Sequence, residues 1–413
     1  MKENILVSNK DTTILSILVL SLFVSVRFTT PGFIIRPFDL LTMLIFFYAF
    51  MSQNKIAEQK LSSGFFYLLP FFIFHSLSAL MIDNKNFFRE FLQVMIFIGF
   101  AFNLSHFKTS IDCKKIIINL LLGSICIMVF SIFYHLYKGH LMGWKELHDT
   151  RIIFTVISVL IFAYLNTTEK KEQKIIPFFL TVFLVLVLLS GERKALLVFL
   201  FLFIMHYSRG NILKIIVISI LIYIFLSLLA DYLGEGELKV KINTITNFLN
   251  TGNYQYYFNT GLLSENDTYS NVARVFAFSV SKDYFLENPI LGLGTNNFIN
   301  IYRYEYFYLP KIFWVGIHNE FQRVLVENGL VGLFFYLLIW YKSWTKTRNI
   351  INQALKYGLM SNLQYKFCTY SIYFACMFYV GTEATSLRSN IILIFISLLP
   401  DYLKYHLSLE KKN

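Results

Sequence analysis

Apolar positions in this chain run in long blocks, not in the one-face-in-three spacing of a soluble helix. Stretches of about 17 to 25 residues, long enough to cross a hydrocarbon layer as helix, recur with Lys, Arg, Pro or Gly clusters between them. They predict helices over 13–29, 38–52, 64–82, 91–105, 116–136, 152–166, 175–189, 195–207, 212–230, 320–341, 366–381 and 389–404. That makes about twelve transmembrane helices. The exception is 231–314, which mixes Gly, Asn, Tyr and charged residues. Connections between helices are usually short, so a loop of this length points to function. Within it, 271–285 has apolar residues at helical spacing and predicts an amphipathic helix at the membrane surface. The chain reads as an all-α integral membrane protein in three parts: helices over 1–230, a large external loop over 231–314, and the remaining helices over 315–413.

Composition strengthens this reading. The 413 residues are 56% hydrophobic and 15% charged, with a mean hydropathy of +0.56, too apolar for a soluble domain. An even number of spans puts both termini on one side. Lys2, Lys10, Lys55, Lys60, Lys114, Lys115, Lys170, Lys171, Arg209, Lys346, Arg348 and Lys411 fall in the segments on that side. The short loops opposite hold about half as many basic residues, so both termini are expected in the cytoplasm and the large loop outside. The net charge of +12 is then an orientation signal, and nucleic acid is not an expected partner. The first apolar segment follows MKENILVSNKD without a small-residue cleavage site, and is read as a retained anchor.

Metal and disulfide chemistry find no support in the sequence. Cys126, Cys368 and Cys376 fall in expected helices and Cys113 in an internal loop, so no pair is placed for a disulfide. No CxxC or HExxH spacing occurs, and neither a metal nor another cofactor is expected.

Three polar constellations remain. In SGERKALLVFLF, Arg193 and Lys194 sit between two helices with almost no loop. Ionisable groups at membrane depth are costly and tend to serve function, although they also snorkel to the interface. In YSNVARVFAFSV, Arg274 places a planar fork of donors, suited to diphosphate, on the expected loop helix. In VGIHNEFQRVLVENGLVGLFFYLLIW, His318 and Asn319 lead into a helix carrying Glu320, Arg323 and Glu327. Their spacing of three and four puts these three on one face, a set that can bind a polar substrate or pair among itself. His318 at the helix mouth is a candidate general base. Gly329 and Gly332 are read as sites of close helix packing.

The order His318, Asn319, nine residues, Gly329, two residues, Gly332 resembles the signature of the bacterial O-antigen ligase and polysaccharide polymerase family. ERKALLVFLF resembles that family's arginine at the start of a helix, and NPILGLGTNNF resembles the passage before its histidine segment. The resemblance covers about 190 to 335, with topology alone beyond it. It implies transfer of a glycan from an undecaprenyl diphosphate carrier to an acceptor hydroxyl at the periplasmic face of the cell inner membrane. It implies Arg193, Arg274 and His318 as catalytic positions and no metal. One departure stands out: Glu192 and Lys194 flank Arg193 where the family often has small residues.

The chemistry is consistent with those residue types. Glycosyl diphosphates already carry a good leaving group, so catalysis needs charge stabilisation at the diphosphate and a base for the acceptor hydroxyl. Arg193 and Arg274 are assigned to the diphosphate and His318 to the acceptor proton. Asn319 or Glu320 would orient the imidazole. Asn319, Glu320, Arg323 and Arg151, the last in HDTRIIF, are further candidates for substrate contact. The expected acceptor is lipid A-core, as for a ligase; a polymerase would use a second carrier-linked repeat unit. A polyprenyl-glycan transporter is the reading from another class, and it predicts paired halves with broken helices, which the sequence does not display.

Overall fold

The computed structural model describes residues 9–21, 28–30, 33–35, 37–51, 62–81, 84–107, 193–208, 266–309, 314–359, 370–382 and 386–410, with isolated positions among 119–126, 181–184 and 211–220. The expected helices at 116–136, 152–166, 175–189 and 212–230 fall wholly or largely outside these residues, as do Arg151 and the first part of the large loop.

The described residues are predominantly helical: α1 (Asn9–Ser21), α2 (Pro37–Met51), α3 (Ser63–Ser78), α4 (Asn84–Phe107), α5 (Arg193–Ser208), α6 (Asn266–Glu287), α7 (Phe298–Glu305), α8 (Glu320–Lys356), α9 (Ile372–Thr382) and α10 (Ser386–Glu410). A short hairpin interrupts them. Strand β1 (Phe28–Thr30) pairs antiparallel with β2 (Phe33–Ile35), Phe28 opposite Ile35 and Thr30 opposite Phe33. The expected helix over 13–29 is seen over Asn9–Ser21 and has given way to strand by Phe28, a local exception in a helical fold. β-Branched Thr29 and Thr30, followed in sequence by Pro31-Gly32, favour a strand and turn over a continuing helix.

Helix α3 is the central column. Its phenylalanines make the contacts: Phe72 stacks on Phe97 of α4 at 6.1 Å and Phe71 meets Tyr336 of α8 edge-on at 5.4 Å. On another side Gly64 brings the α3 backbone against the carbonyl of Ser397 in α10, an approach that leaves no room for a Cβ. Aromatic rings and one small residue thus fill the space between these helices. Further out, Leu44, Phe47, Phe66, Ile73, Leu77, Phe334 and Leu337 are exposed, an apolar surface suited to hydrocarbon. Among the described residues, α8 is the helix long and apolar enough to cross a membrane, and shorter apolar helices lie in α2, α3, α4, α5 and α9.

Polar clusters mark the two ends of α3, which spans 16 residues or about 24 Å. At its start, the Lys346 ammonium of α8 binds Asp401 of α10 and the Ser63 hydroxyl, while Ser62 donates to the same carboxylate. At its far end lie His75 and Ser78, beside a second, smaller core. This core joins Ala277, Val280 and Tyr284 of α6 to Phe298 and Tyr302 of α7, Ile317, and Val326 of α8. The helix expected over 271–285 is thus α6, longer at both ends than its apolar pattern.

Candidate functional site

The site is organised by a break in α8. Gly329 has φ +63° and ψ −167°, outside the helical region, and divides the helix into a first arm, 320–328, and a second, 330–356. A break orphans backbone groups on both sides. Here a loop, 288–297, supplies their partners. Leu293 and Gly294 donate their N–H groups to the carbonyls of Val326 and Glu327 at 2.9 and 2.8 Å, while Leu330 and Val331 donate to the carbonyls of Pro289 and Ile290 at 2.9 and 3.3 Å. The loop therefore caps the end of one arm and the start of the next.

The first arm starts at a built N-terminus. Asn319 is extended, and its side-chain oxygen accepts the N–H of Gln322 at 3.1 Å, as an N-cap should. Gln322 then reaches α6, donating to the carbonyl of Phe278 at 3.0 Å and the hydroxyl of Ser281 at 2.6 Å. His318 precedes the cap and is half-buried. The residue before it, Ile317, lies in the smaller core with Ala277, three residues after Arg274. Arg274, half-buried on α6, and His318 thus ride on elements that share one core.

Glu320, Arg323 and Glu327 do lie along one face of the arm, and they pair among themselves. Arg323 donates through Nε and Nη2 to both oxygens of Glu320, at 2.8 and 2.5 Å, and through Nη1 to Glu327 at 2.7 Å. All three are buried. Glu327 also accepts the backbone N–H of Asn296, a loop residue at φ +57°, a conformation Asn tolerates better than most side chains. Two carboxylates and a bidentate fork satisfy one another here, the condition for burying charge at tolerable cost.

Beside this triad, four side chains close a network that sequence reading did not single out. Thr295 donates to the carbonyl of His75 at 2.8 Å and its hydroxyl lies 2.5 Å from that of Ser78. The Asn328 amide donates to Ser78 at 2.5 Å and Thr295 at 2.9 Å, and its oxygen faces His75 Nδ1 at 3.3 Å. Helix α3, the loop and the last residue of the first arm are joined at one point. Gly332, one turn on, leaves no room for a Cβ beside Asn328, and a Cβ there would also lie 3.3 Å from Phe74 of α3.

Arg193 is the first residue of α5, whose Val198, Phe199 and Leu202 enter the main core. Its side chain, like all of Arg151, lies outside the described residues. In the smaller core the Tyr284 hydroxyl donates to Glu305; burial first, then that hydrogen bond and the nearby charge, push the phenol well above its ordinary range. Among the described residues, no group of three His, Cys, Asp or Glu side chains could hold a metal ion.

Residues 176–337, which hold α5, α6, the loop and α8 through its break, match the family model described as O-antigen ligase. Over this segment the chain is similar to the O-antigen ligase family. Members of this family are bacterial membrane proteins, glycosyltransferase-like enzymes of polysaccharide assembly. The matched segment covers Arg193, Arg274, His318 and the Asn328-Gly329 break alike. No curated protein matches the chain as a whole or in part.

Proposed function

We propose that this protein is a multi-pass enzyme of the bacterial inner membrane, with both termini cytoplasmic. In this reading it transfers a glycan from an undecaprenyl diphosphate carrier to lipid A-core, as an O-antigen ligase. The reading rests on one observation: the domain match contains Arg193, Arg274 and His318, and the last two stand on elements of one small core. The acceptor hydroxyl gives its proton to His318 as its oxygen attacks the anomeric carbon. The bond from that carbon to the diphosphate breaks, and the carrier diphosphate leaves with the electron pair. Direct displacement inverts the anomeric configuration. Arg274 and Arg193 supply the charge that a leaving diphosphate requires. Asn319 serves through the cap that fixes the helix behind His318. Glu320 and Arg323 act from within their buried set, and Arg151 stands as a further sugar or phosphate contact.

The end of α3 bearing His75 would face the periplasm and the end at Lys346 the cytoplasm. Basic residues gathered near Lys346 agree with that orientation. Purified protein in lipid nanodiscs, given carrier-linked glycan and lipid A-core, tests the reading. It stands if glycan becomes attached to lipid A-core in the wild type and not in His318→Ala. Chains that lengthen on the carrier without lipid A-core would make the protein a polymerase. Translocation of carrier-linked glycan without any transfer would make it a transporter.

A further inference from the structure

His318, assigned as the base, stands just ahead of a short arm that cannot hold its own direction. The first arm has about nine residues, below the length at which a helix is stable alone. It lies between two cores. Phe321 and Val324 pack into the main core, while Ile317 and Val326 belong to the smaller one. Gln322 fixes the arm to α6, but α6 belongs to the same small core. A side-chain tie between that unit and the column of the bundle is made at Asn328, where Thr295 and Asn328 meet His75 and Ser78 of α3.

We propose that Thr295, Asn328, His75 and Ser78 are positioning residues that set where His318 stands relative to the bundle. This inference rests on the reading of His318 as general base. His318 lies ten positions before Asn328, about 15 Å along a helix, so a tilt of about 4° at the network moves it by about 1 Å. A misplacement of that size can cost about 100-fold in rate. The hydroxyl of Thr295 is the hinge pin, because it serves the His75 carbonyl, Ser78 and Asn328 at once. Replacing it with a methyl removes three interactions while keeping shape and volume. The buried Asn328 amide is then left short of a partner, and the arm relaxes to recover one.

The experiment reads position without reading glycan transfer. Full-length protein is prepared with Cys113, Cys126, Cys368 and Cys376 replaced by Ser or Ala and with His318→Cys, and its labelling by a charged maleimide is timed in nanodiscs. Adding Thr295→Val should raise the labelling rate at least tenfold, and Thr295→Ser should restore it. Ser78→Ala, on the other side of the seam, should shift labelling in the same direction if Thr295→Val yields no folded protein. In the enzyme with His318 intact, Thr295→Val should lower kcat at least tenfold, leave the KM for carrier-linked donor within twofold, and recover with Thr295→Ser. An unchanged labelling rate in both Thr295→Val and Ser78→Ala would overturn the proposal. So would a kcat that Thr295→Val leaves intact. Failure of the base reading appears elsewhere, as full transfer by His318→Ala, and does not alter what the labelling reports.

Discussion

Gly292 and Gly329 press backbone against backbone. A Cβ on Gly292 would lie 2.5 Å from the Gly329 nitrogen, and one on Gly329 would lie 2.7 Å from the Gly292 nitrogen and closer still to the Ile290 carbonyl. Both residues also have positive φ, +75° and +63°. Two independent demands, space and dihedral angle, therefore select glycine at each position. Gly329→Ala should cost about 2 kcal/mol or more in stability and most of the transfer activity. Thermal unfolding in detergent measures the first. The double variant with Gly292→Ala should lose less than the sum of the two singles, because one separation of the loop from the helix relieves both clashes.

Removing Arg323 should be worse than removing its partners with it. Arg323→Met leaves Glu320 and Glu327 buried and unpaired, at a cost of about 3 to 5 kcal/mol. The triple change Glu320→Gln, Arg323→Met, Glu327→Gln should recover much of that loss. Melting curves of the two purified proteins decide; a triple variant no more stable than Arg323→Met would show that the ion set is not what holds the arm.

Substitutions at the proposed catalytic positions should separate binding from chemistry. His318→Ala should lower kcat by about 100-fold or more with donor KM little changed. Arg274→Lys keeps the charge and loses the fork, so its larger effect should be a rise of about tenfold in donor KM. Steady-state transfer with varied carrier-linked donor reads both.

Tyr284 gives a pH prediction. Its phenol is held above the ordinary range by burial and by the Glu305 carboxylate it donates to. A raised folded value means the protonated phenol stabilises the fold. That stability is fully present below about pH 10, the unfolded value, and is lost as pH rises toward the folded one. Tyr284→Phe should therefore flatten the fall in melting temperature above about pH 10. An unchanged alkaline slope would remove Tyr284 from the account.

Much of this architecture could be read from residue order because its causes are local. The apolar blocks gave α2, α3 and α5 nearly at their observed bounds and α4 without its polar first turns, and the 271–285 periodicity gave α6. The His318-Asn319 start of α8 was legible because an Asn before a helical run is a capping signal. The break was not, although Asn328-Gly329 is a turn dipeptide; the apolar run on its far side outweighed it. His75 was hidden for a different reason. It lies in a phenylalanine-rich helix, 220 positions from Thr295 and 253 from Asn328, and no local pattern encodes a partner so distant. The pairing of Arg323 with both carboxylates was among the expected outcomes, since spacings of three and four allow it. The hairpin at Phe28–Ile35 was lost inside a hydrophobic stretch that strands and helices share.

Non-helical backbone survives at membrane depth only where protein or water satisfies it. At the Gly329 break, four backbone hydrogen bonds with the loop, two donated and two accepted by it, do this. The interruption can therefore sit below the bilayer surface without presenting bare peptide groups to lipid. If the protein acts on a carrier-linked glycan as proposed, a diphosphate riding at the headgroup level would not have to be lifted into water to meet polar side chains; the buttressed break would let them come down to it.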